Sequence, residues 1–340
     1  MNIQKVGIIF NPAAGHSECF RTIGKILSKK LISCKEIITG PDKLGAAFIP
    51  EAKAVFIDDM RIEKFVDIFC DLGIDMLIGV GGDGTLNRLA SRLLQINIAL
   101  PVMGIAAGTA NVGPLIQFNR RALELFELSE ATAFEINPIE IYVQDRLSGY
   151  AFVDAVIGET FLGTINGSME CLDARAFWYR GEKKKRMPSL NIMEKIEVSK
   201  NGKNWLIYNV AQIIAAPLYH ARFFTGKAAT GALCWAWHLQ KKAVVSFAAV
   251  NIIDPYIDHE NLTQKEPVVI SHVLLGHGEI VEIRKIPNDK FLILDGNPIF
   301  PVGGQVIRIR VTEKGVLVVS NKNKVCMEKY CGPVSLDWDE

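Results

Sequence analysis

The stretch from Met76 to Leu94, MLIGVGGDGTLNRLASRLL, constrains this chain more than any other. Its first five residues, Met76 to Val80, form a short apolar run that reads as a buried strand. Leu86, Leu89, Ala90, Leu93 and Leu94 then recur at helical spacing and give one apolar face. Between the two lie Gly81, Gly82, Asp83, Gly84 and Thr85, and three glycines in five residues let the backbone turn tightly and approach a ligand. A helix that starts after such a turn offers N–H groups and a positive dipole end, which suits a phosphate. Asp83 does not belong in a simple phosphate cradle, because its charge repels phosphate. It needs a task of its own, such as handling a metal, a hydroxyl or a proton.

Two more turns of this kind lie at strand ends. Val6 to Phe10 reads as a strand that runs into Asn11-Pro12-Ala13-Ala14-Gly15, ahead of a helical face made by Phe20, Ile23, Ile26 and Leu27. Ala54 to Ile57 reads as a strand and Ile62 to Leu72 as a helix. Ile98 to Ile105 is a further strand, running into Ala106-Ala107-Gly108-Thr109-Ala110-Asn111, and Arg121 to Leu128 is helical again. Such alternation predicts a Rossmann-like α/β domain, a parallel sheet with helices on both faces. Ligands of these sheets bind outside the carboxyl ends of the strands. Asn11, Gly15, Gly81, Gly82, Gly84, Thr85, Gly108, Thr109 and Asn111 are therefore candidates for one shared phosphate site.

After about Phe134 the alternation with helices stops. Phe134 to Val143, Tyr150 to Ile157, Ile192 to Val198, Trp205 to Ile214, Ala243 to Ile253, Val268 to Leu275 and four later segments as far as Val316 to Val319 all read as strands. Asn201-Gly202 between two of them signals a type I′ hairpin. The expectation is an α/β domain over residues 1–134 and a mostly antiparallel β-sandwich over residues 135–340, whose last residues are candidates to pack back on the first domain. A chain of 340 residues is long enough for two such cores.

Composition excludes several classes. With 38 basic and 37 acidic side chains the net charge is +1, which argues against a protein built to bind nucleic acid. Seven cysteines without C-x-x-C spacing suggest neither a zinc site nor a disulfide framework, and so a reducing, cytoplasmic compartment. No apolar run reaches about 18 residues, so no transmembrane helix is expected, and the first residues lack the apolar length of a signal peptide. Gly79, Gly81 and Gly84 fit the spacing of the dinucleotide fingerprint GxGxxG, but they follow a middle strand and no acidic residue stands about twenty positions on. The Walker pattern is absent, since no lysine precedes Thr85.

GGDGT before a helix, with an earlier NPxxG turn and a later GTAN turn, resembles the NAD kinase and diacylglycerol kinase superfamily. In the second half Phe152 to Gly163 (FVDAVIGETFLG), Thr225 to Cys234 (TGKAATGALC) and Leu292 to Asn297 (LILDGN) look most like its AcoX-type, ATP–NAD kinase-like members. The resemblance implies an ATP-dependent, magnesium-assisted kinase whose acceptor is a hydroxyl: the 2′-OH of NAD in one branch, a lipid alcohol in the other. It also implies a homo-oligomer. Asp83 then matches the acid that activates the acceptor or organises Mg2+, the glycine turn and Thr85 match the ATP phosphate contacts, and Asn11 and Thr109 match flanking nucleotide contacts. Asp154 matches the acid of a dinucleotide-binding Asn-Glu or Asn-Asp pair, although Val153 replaces the amide. Thr109-Ala110-Asn111-Val112 is similar to the GTxND turn of lipid kinases without its aspartate. Asp154 and Asp295 are the candidate acceptor contacts, with a solvated carboxylate and an ordinary Asp-Gly hairpin turn as the plainer readings.

Other features carry less chemistry. Six histidines show no metal-ligand spacing; His16 alone adjoins a phosphate turn. Trp235 and Trp237 read as core packing. The Lys183–Arg186 run reads as a solvated loop, with a lid over ATP or transient contact with an anionic membrane as alternatives, and no stable membrane anchor is expected. A third class of function is a nucleotide-binding regulator without catalysis.

Overall fold

The computed structural model describes residues 2–14, 17–107, 111, 113–165, 168–186, 192–219, 241–249 and 269–321. Gly15, His16, Gly108, Thr109, Thr225 to Cys234, Trp235 and Trp237 lie outside them.

The first sheet begins with β1 (Lys5–Phe10), β2 (Glu36–Thr39), β3 (Lys53–Ala54), β4 (Met76–Gly81), β5 (Val102–Ala106), β6 (Ile116–Phe118) and β7 (Ala131–Ile136). Helices α1 (Ser17–Lys30), α2 (Ile62–Asp71), α3 (Asp83–Gln95) and α4 (Arg120–Glu124) alternate with them. Strands β3-β2-β1-β4-β5 pair in that order and all in parallel. Period-2 alternation sends Ile8, Phe10, Ile78 and Val80 to one face, where Phe20, Ile23 and Leu27 of α1 cover them. Ile9 and Leu77 point to the other face, under Phe65 and Phe69 of α2 and Leu86 and Leu89 of α3. The expected helices on both faces are thus present.

The second sheet is antiparallel and has eleven strands. They are β8 (Ile139–Val143), β9 (Arg146–Ala151), β10 (Ala155–Gly158), β13 (Met193–Lys200), β14 (Lys203–Pro217), β15 (Ala243–Ala249), β16 (Val269–Leu275), β17 (Ile280–Arg284), β18 (Phe291–Leu294), β19 (Asn297–Pro301) and β20 (Ile307–Val311). A separate hairpin, β11 (Thr160–Ile165) and β12 (Ser168–Asp173), leads into helix α5 (Ala174–Arg180). The large sheet wraps one apolar core that includes Ile141, Val198, Ile213, Phe247, Ile283 and Ile309, giving the expected sandwich-like second layer. Asn201 and Gly202 both have positive φ, 51° and 75°, as a type I′ hairpin requires.

The segment read as one strand from Phe134 to Val143 is in fact two, in different sheets. β7 pairs with β21 (Val316–Asn321) in the first sheet, while β8 pairs with β20 in the second. Pro138 between them removes a ladder donor and lets the chain leave one sheet for the other. β7 therefore runs across the boundary expected after residue 134, and β21 returns to lie between β5 and β7. The expected strand at Ala54–Ile57 is limited to Lys53–Ala54, and the Arg121–Leu128 helix stops at Glu124.

Candidate active site at the carboxyl edge of the parallel sheet

The strand order reverses between β1 and β4, since β2 lies outside β1 and β5 outside β4. A crevice opens at such a reversal, and the turns after β1 and β4 both border it. All six residues of β4 are buried. Gly82, extended at φ −98° and ψ −178°, caps α3 without a side chain, and its carbonyl accepts from Thr85 N at 3.0 Å and Leu86 N at 3.2 Å. Asp83 is the first residue of the helix.

The two turns are tied directly. Asn11 N donates to Val80 O at 3.0 Å, and Asn11 Nδ2 donates to Thr85 Oγ1 at 2.7 Å. Asn11 Oδ1 in turn accepts from Ala13 N at 3.1 Å, forming an Asx turn. Thr85 is only 4% exposed, so its hydroxyl and the Asn11 amide lock the two turns together. The third turn reaches the same place from β5: Gly113 N donates to Asp83 Oδ1 at 2.9 Å. A Cβ on Gly113 would stand 2.7 Å from both Asp83 Oδ1 and Val153 Cγ2, so glycine allows this approach. Asn111 lies in the same turn, half-buried.

The second sheet closes the crevice with β10 and β18. Their register pairs Ala155 with Leu294 and Gly158 with Phe291, so its extension sets Asp154 opposite Asp295, and Asp295 N donates to Asp154 O at 2.9 Å. Asp295 begins an Asp-Gly turn at φ 45° followed by Gly296 at 76°, yet its carboxylate faces inward. It accepts from Asn87 Nδ2 (2.6 Å), Phe152 N (3.1 Å), Val153 N (2.9 Å) and Asp154 N (3.0 Å). Four donors hold the charge of a side chain that is 8% exposed, and they shape the bend at 152–154. Asp295 thus holds the bend that ends at Asp154. Burial raises its pKa, against the lowering effect of Asn87 and the three amides.

Asp154 itself is half-buried at the end of that bend. Burial, then the charges of Asp295 and Asp83, push its pKa up to about 7. Three carboxylates, at the start of α3, just before β10 and just after β18, therefore interact, although 71 residues separate the first from the second and 141 the second from the third. Burial also raises the Tyr219 hydroxyl well above its ordinary value, with the Asp295 charge adding to the effect, so Tyr219 keeps its proton.

Magnesium requires one or two carboxylates and phosphate oxygens more than an all-protein cage. Among the described residues no group of three metal-ligating side chains stands ready. The donor chemistry still fits, because a cation between Asp83 and Asp154 turns the repulsion that raises Asp154 into attraction.

Asn87, Gly113 and Asn297 were not legible as site residues in the sequence. Asn87 stands four residues after Asp83 and so on the same helical face, which is the signal it gave. Its amide also donates to Tyr150 O at 2.8 Å, which joins α3 to the second sheet twice. Asn297 Nδ2 packs where a side chain on Gly84 would be. The Gly84 position is thus small because the second sheet leans on it, besides any phosphate it cradles.

Comparison with known proteins agrees with this architecture. Residues 5–116 match the diacylglycerol kinase catalytic domain family. An uncharacterized protein of Archaeoglobus fulgidus is 29% identical over 308 residues, 87% of this chain and 92% of that protein. Yeast NADH kinase, solved with NADH, superposes with a TM-score of 0.55 at 15% identity over 100% of this chain and 90% of its own. A diacylglycerol kinase from Bacillus anthracis strain Sterne gives 0.52 at 14% identity over 95% and 98%. The shared fold has two layers, a parallel α/β half and an antiparallel half. Residues 5–116 thus match a kinase catalytic domain family, and the fold of the chain is shared with NADH kinase and diacylglycerol kinase structures.

Proposed function

We propose that this protein transfers the γ-phosphoryl group of ATP to an alcohol hydroxyl, with the 2′-OH of NAD as acceptor. The observation that carries the reading is Asp83, fixed at the start of α3 by Gly113 N and facing Asp154 of the other sheet. The α3 N-terminus and the turn after β1 receive the phosphates of ATP. Asp154 orients the acceptor hydroxyl, as carboxylates in dinucleotide sites hold ribose hydroxyls, and Asp83 takes its proton. The acceptor oxygen forms a bond to Pγ while the bond from Pγ to the bridging oxygen breaks, and that electron pair leaves with ADP. A magnesium ion held by Asp83 and Asp154 with the phosphates would neutralise charge that develops on the transferred group.

A lipid alcohol is the second reading, favoured by the family of residues 5–116. On this reading those residues form the phosphate-binding half, while the acceptor is set by Asp154 and Asp295 of the other half. The AcoX-type resemblance rests on second-half motifs and supports the NAD reading. We likewise place the protein in the cytoplasm as a homo-oligomer; no helix among the described residues is long and apolar enough to cross a membrane.

Labelled ATP with magnesium, offered to NAD, NADH, diacylglycerol, a sphingoid base and water in turn, tests the reading. Label in a 2′-phosphorylated dinucleotide supports it, and label in lipid alone replaces it with the second. Binding of ATP with no transfer indicates a regulator. Asp83→Asn should cut turnover about 10²–10⁴-fold, the usual contribution of a positioned base, in a protein that still folds and binds nucleotide. Near-normal turnover in that variant removes Asp83 from the role.

A further inference from the structure

A second cavity, of about 180 Å³, lies where the far end of α3 meets the second sheet. Leu94 brings α3 to it, so at about 1.5 Å per residue some 16 Å of helix separates it from Asp83. Three strands supply the wall. Arg310 of β20 pairs with Glu140 of β8, and Glu140 pairs with Tyr150 of β9. Residues directly opposite across strands share a face, so these three side chains stand in a row on the side turned away from the sheet's own core. The turn after β20 adds Thr312, Glu313 and Lys314. Lys314 Nζ donates to Asn97 Oδ1 at 2.5 Å, which ties that turn to the residues that follow α3.

Charge is balanced around the cavity, since Arg310 and Lys314 face Glu140 and Glu313. Arg310 is already paired with Glu140 and donates to the Tyr142 hydroxyl at 2.8 Å. Neither a bare anion nor a bare cation is favoured by such a lining. The hydroxyls are a different matter. Thr312 is 2% exposed, and its hydroxyl has no hydrogen-bond partner. Tyr150 is 6% exposed, and among the described residues nothing hydrogen-bonds its hydroxyl. Burial, then the neighbouring Glu140 and Tyr142, raises the Tyr150 pKa against the effect of Arg310, so the phenol keeps its proton. Buried polar groups are seldom left without partners, and two of them on one cavity point to a ligand with hydroxyls of its own. Leu94 and the Tyr150 ring give its C–H groups an apolar surface.

We propose that this cavity binds a small uncharged polyol, of glycerol to tetritol size. A hydroxyl both donates and accepts, so one such molecule satisfies Thr312 and Tyr150 and also suits the carboxylates and the ammonium beside them. The volume sets the size: a cavity of about 150 Å³ accepts benzene, so roughly six to eight non-hydrogen atoms fit here. A dinucleotide or a diacyl lipid is far too large, and the cavity is therefore not the acceptor site. Tyr150 links it to the crevice. The Tyr150 carbonyl accepts from Asn87 Nδ2 at 2.8 Å, and the same amide donates to Asp295 at 2.6 Å. An occupant that fixes Tyr150 thus stiffens the strut between α3 and the second sheet. The inference holds whichever hydroxyl the crevice phosphorylates.

Saturation-transfer NMR on the full chain without ATP, with glycerol, erythritol, inorganic phosphate and glycine as probes, tests the site. Glycerol and erythritol should receive saturation and compete with each other. Thr312→Val keeps the side chain's shape without its hydroxyl, and Tyr150→Phe does the same for the phenol. Each should weaken erythritol binding roughly three- to tenfold, as the loss of one hydrogen bond does, while urea unfolding stays close to that of the wild type. Equal affinity in both variants would place the polyol elsewhere and overturn the proposal. So would the absence of transfer to either polyol, which leaves a cavity that holds water alone, or tighter binding of phosphate or glycine.

Discussion

Asp154→Asn tests the electrostatics of the crevice most directly. In the folded protein the Asp154 pKa rises from its ordinary 3.8 to about 7, through burial and then the Asp295 and Asp83 charges. Between those two values the unfolded chain has released the proton and the folded chain retains it. Raising the pH through this window therefore destabilises the wild type, because the folded state binds more protons. At ~1.4 kcal/mol per pKa unit, the full effect is about 4 kcal/mol. Asp154 is partly exposed and water screens it, so about 2 kcal/mol is the expected gain for the uncharged variant above pH 7. Urea unfolding of both proteins at about pH 3, 5, 7 and 8 measures this; those settings reach about one unit beyond each pKa. The variant's advantage should be near zero at the acid end, grow through the window and level off above it. Added magnesium should stabilise the wild type at the alkaline end more than the variant, because the cation relieves the same repulsion. An advantage that does not change with pH would refute the reasoning, since it would mean that the charge of Asp154 is not opposed by its surroundings.

Gly84→Ala puts a methyl group into Asn297 Nδ2. It should cost about 1–3 kcal/mol of stability and lower turnover, and Gly84→Ala with Asn297→Gly should recover both; no recovery in unfolding and activity assays would detach the hairpin from α3. Lys290 is 1% exposed and pairs with Glu159 at 2.5 Å, at the opposite end of the same strand pair that aligns Asp154 with Asp295. Lys290→Met should cost about 1–3 kcal/mol, because Glu159 loses one of its two cations and keeps Arg186 at 2.6 Å, measured by urea unfolding. Adding Glu159→Gln should restore most of that loss, and a double variant as unstable as the single would show that packing, not charge, holds this end together.

Much of the first half was legible because its signals are local. The turns after Phe10 and Gly81 announce themselves by residue type, and alternating apolar residues in β1 and β4 tell which face each side chain meets. The helix faces of α1 and α3 follow from spacing alone. The Asn201-Gly202 hairpin was legible for the same reason, because a type I′ turn needs positive φ at two adjacent residues. Less was legible about α5, whose seven residues are too few for a helical pattern to stand out. Asp295 was readable as a turn residue, but not as the inward-facing anchor for the 152–154 amides.

The sequence by itself determined the α/β character of the first half, the β character of the second and the glycine turn that carries Asp83. These follow from steric and periodic rules acting over a few residues. Tertiary structure alone decided that Val316–Asn321 lies between β5 and β7, that Ala131–Ile136 and Ile139–Val143 belong to different sheets, and that Asp154 meets Asp295 and Asp83. Periodicity fixes the face of a strand but not its neighbour. Register, burial and the repulsion among carboxylates brought together from three elements exist only once distant segments have paired.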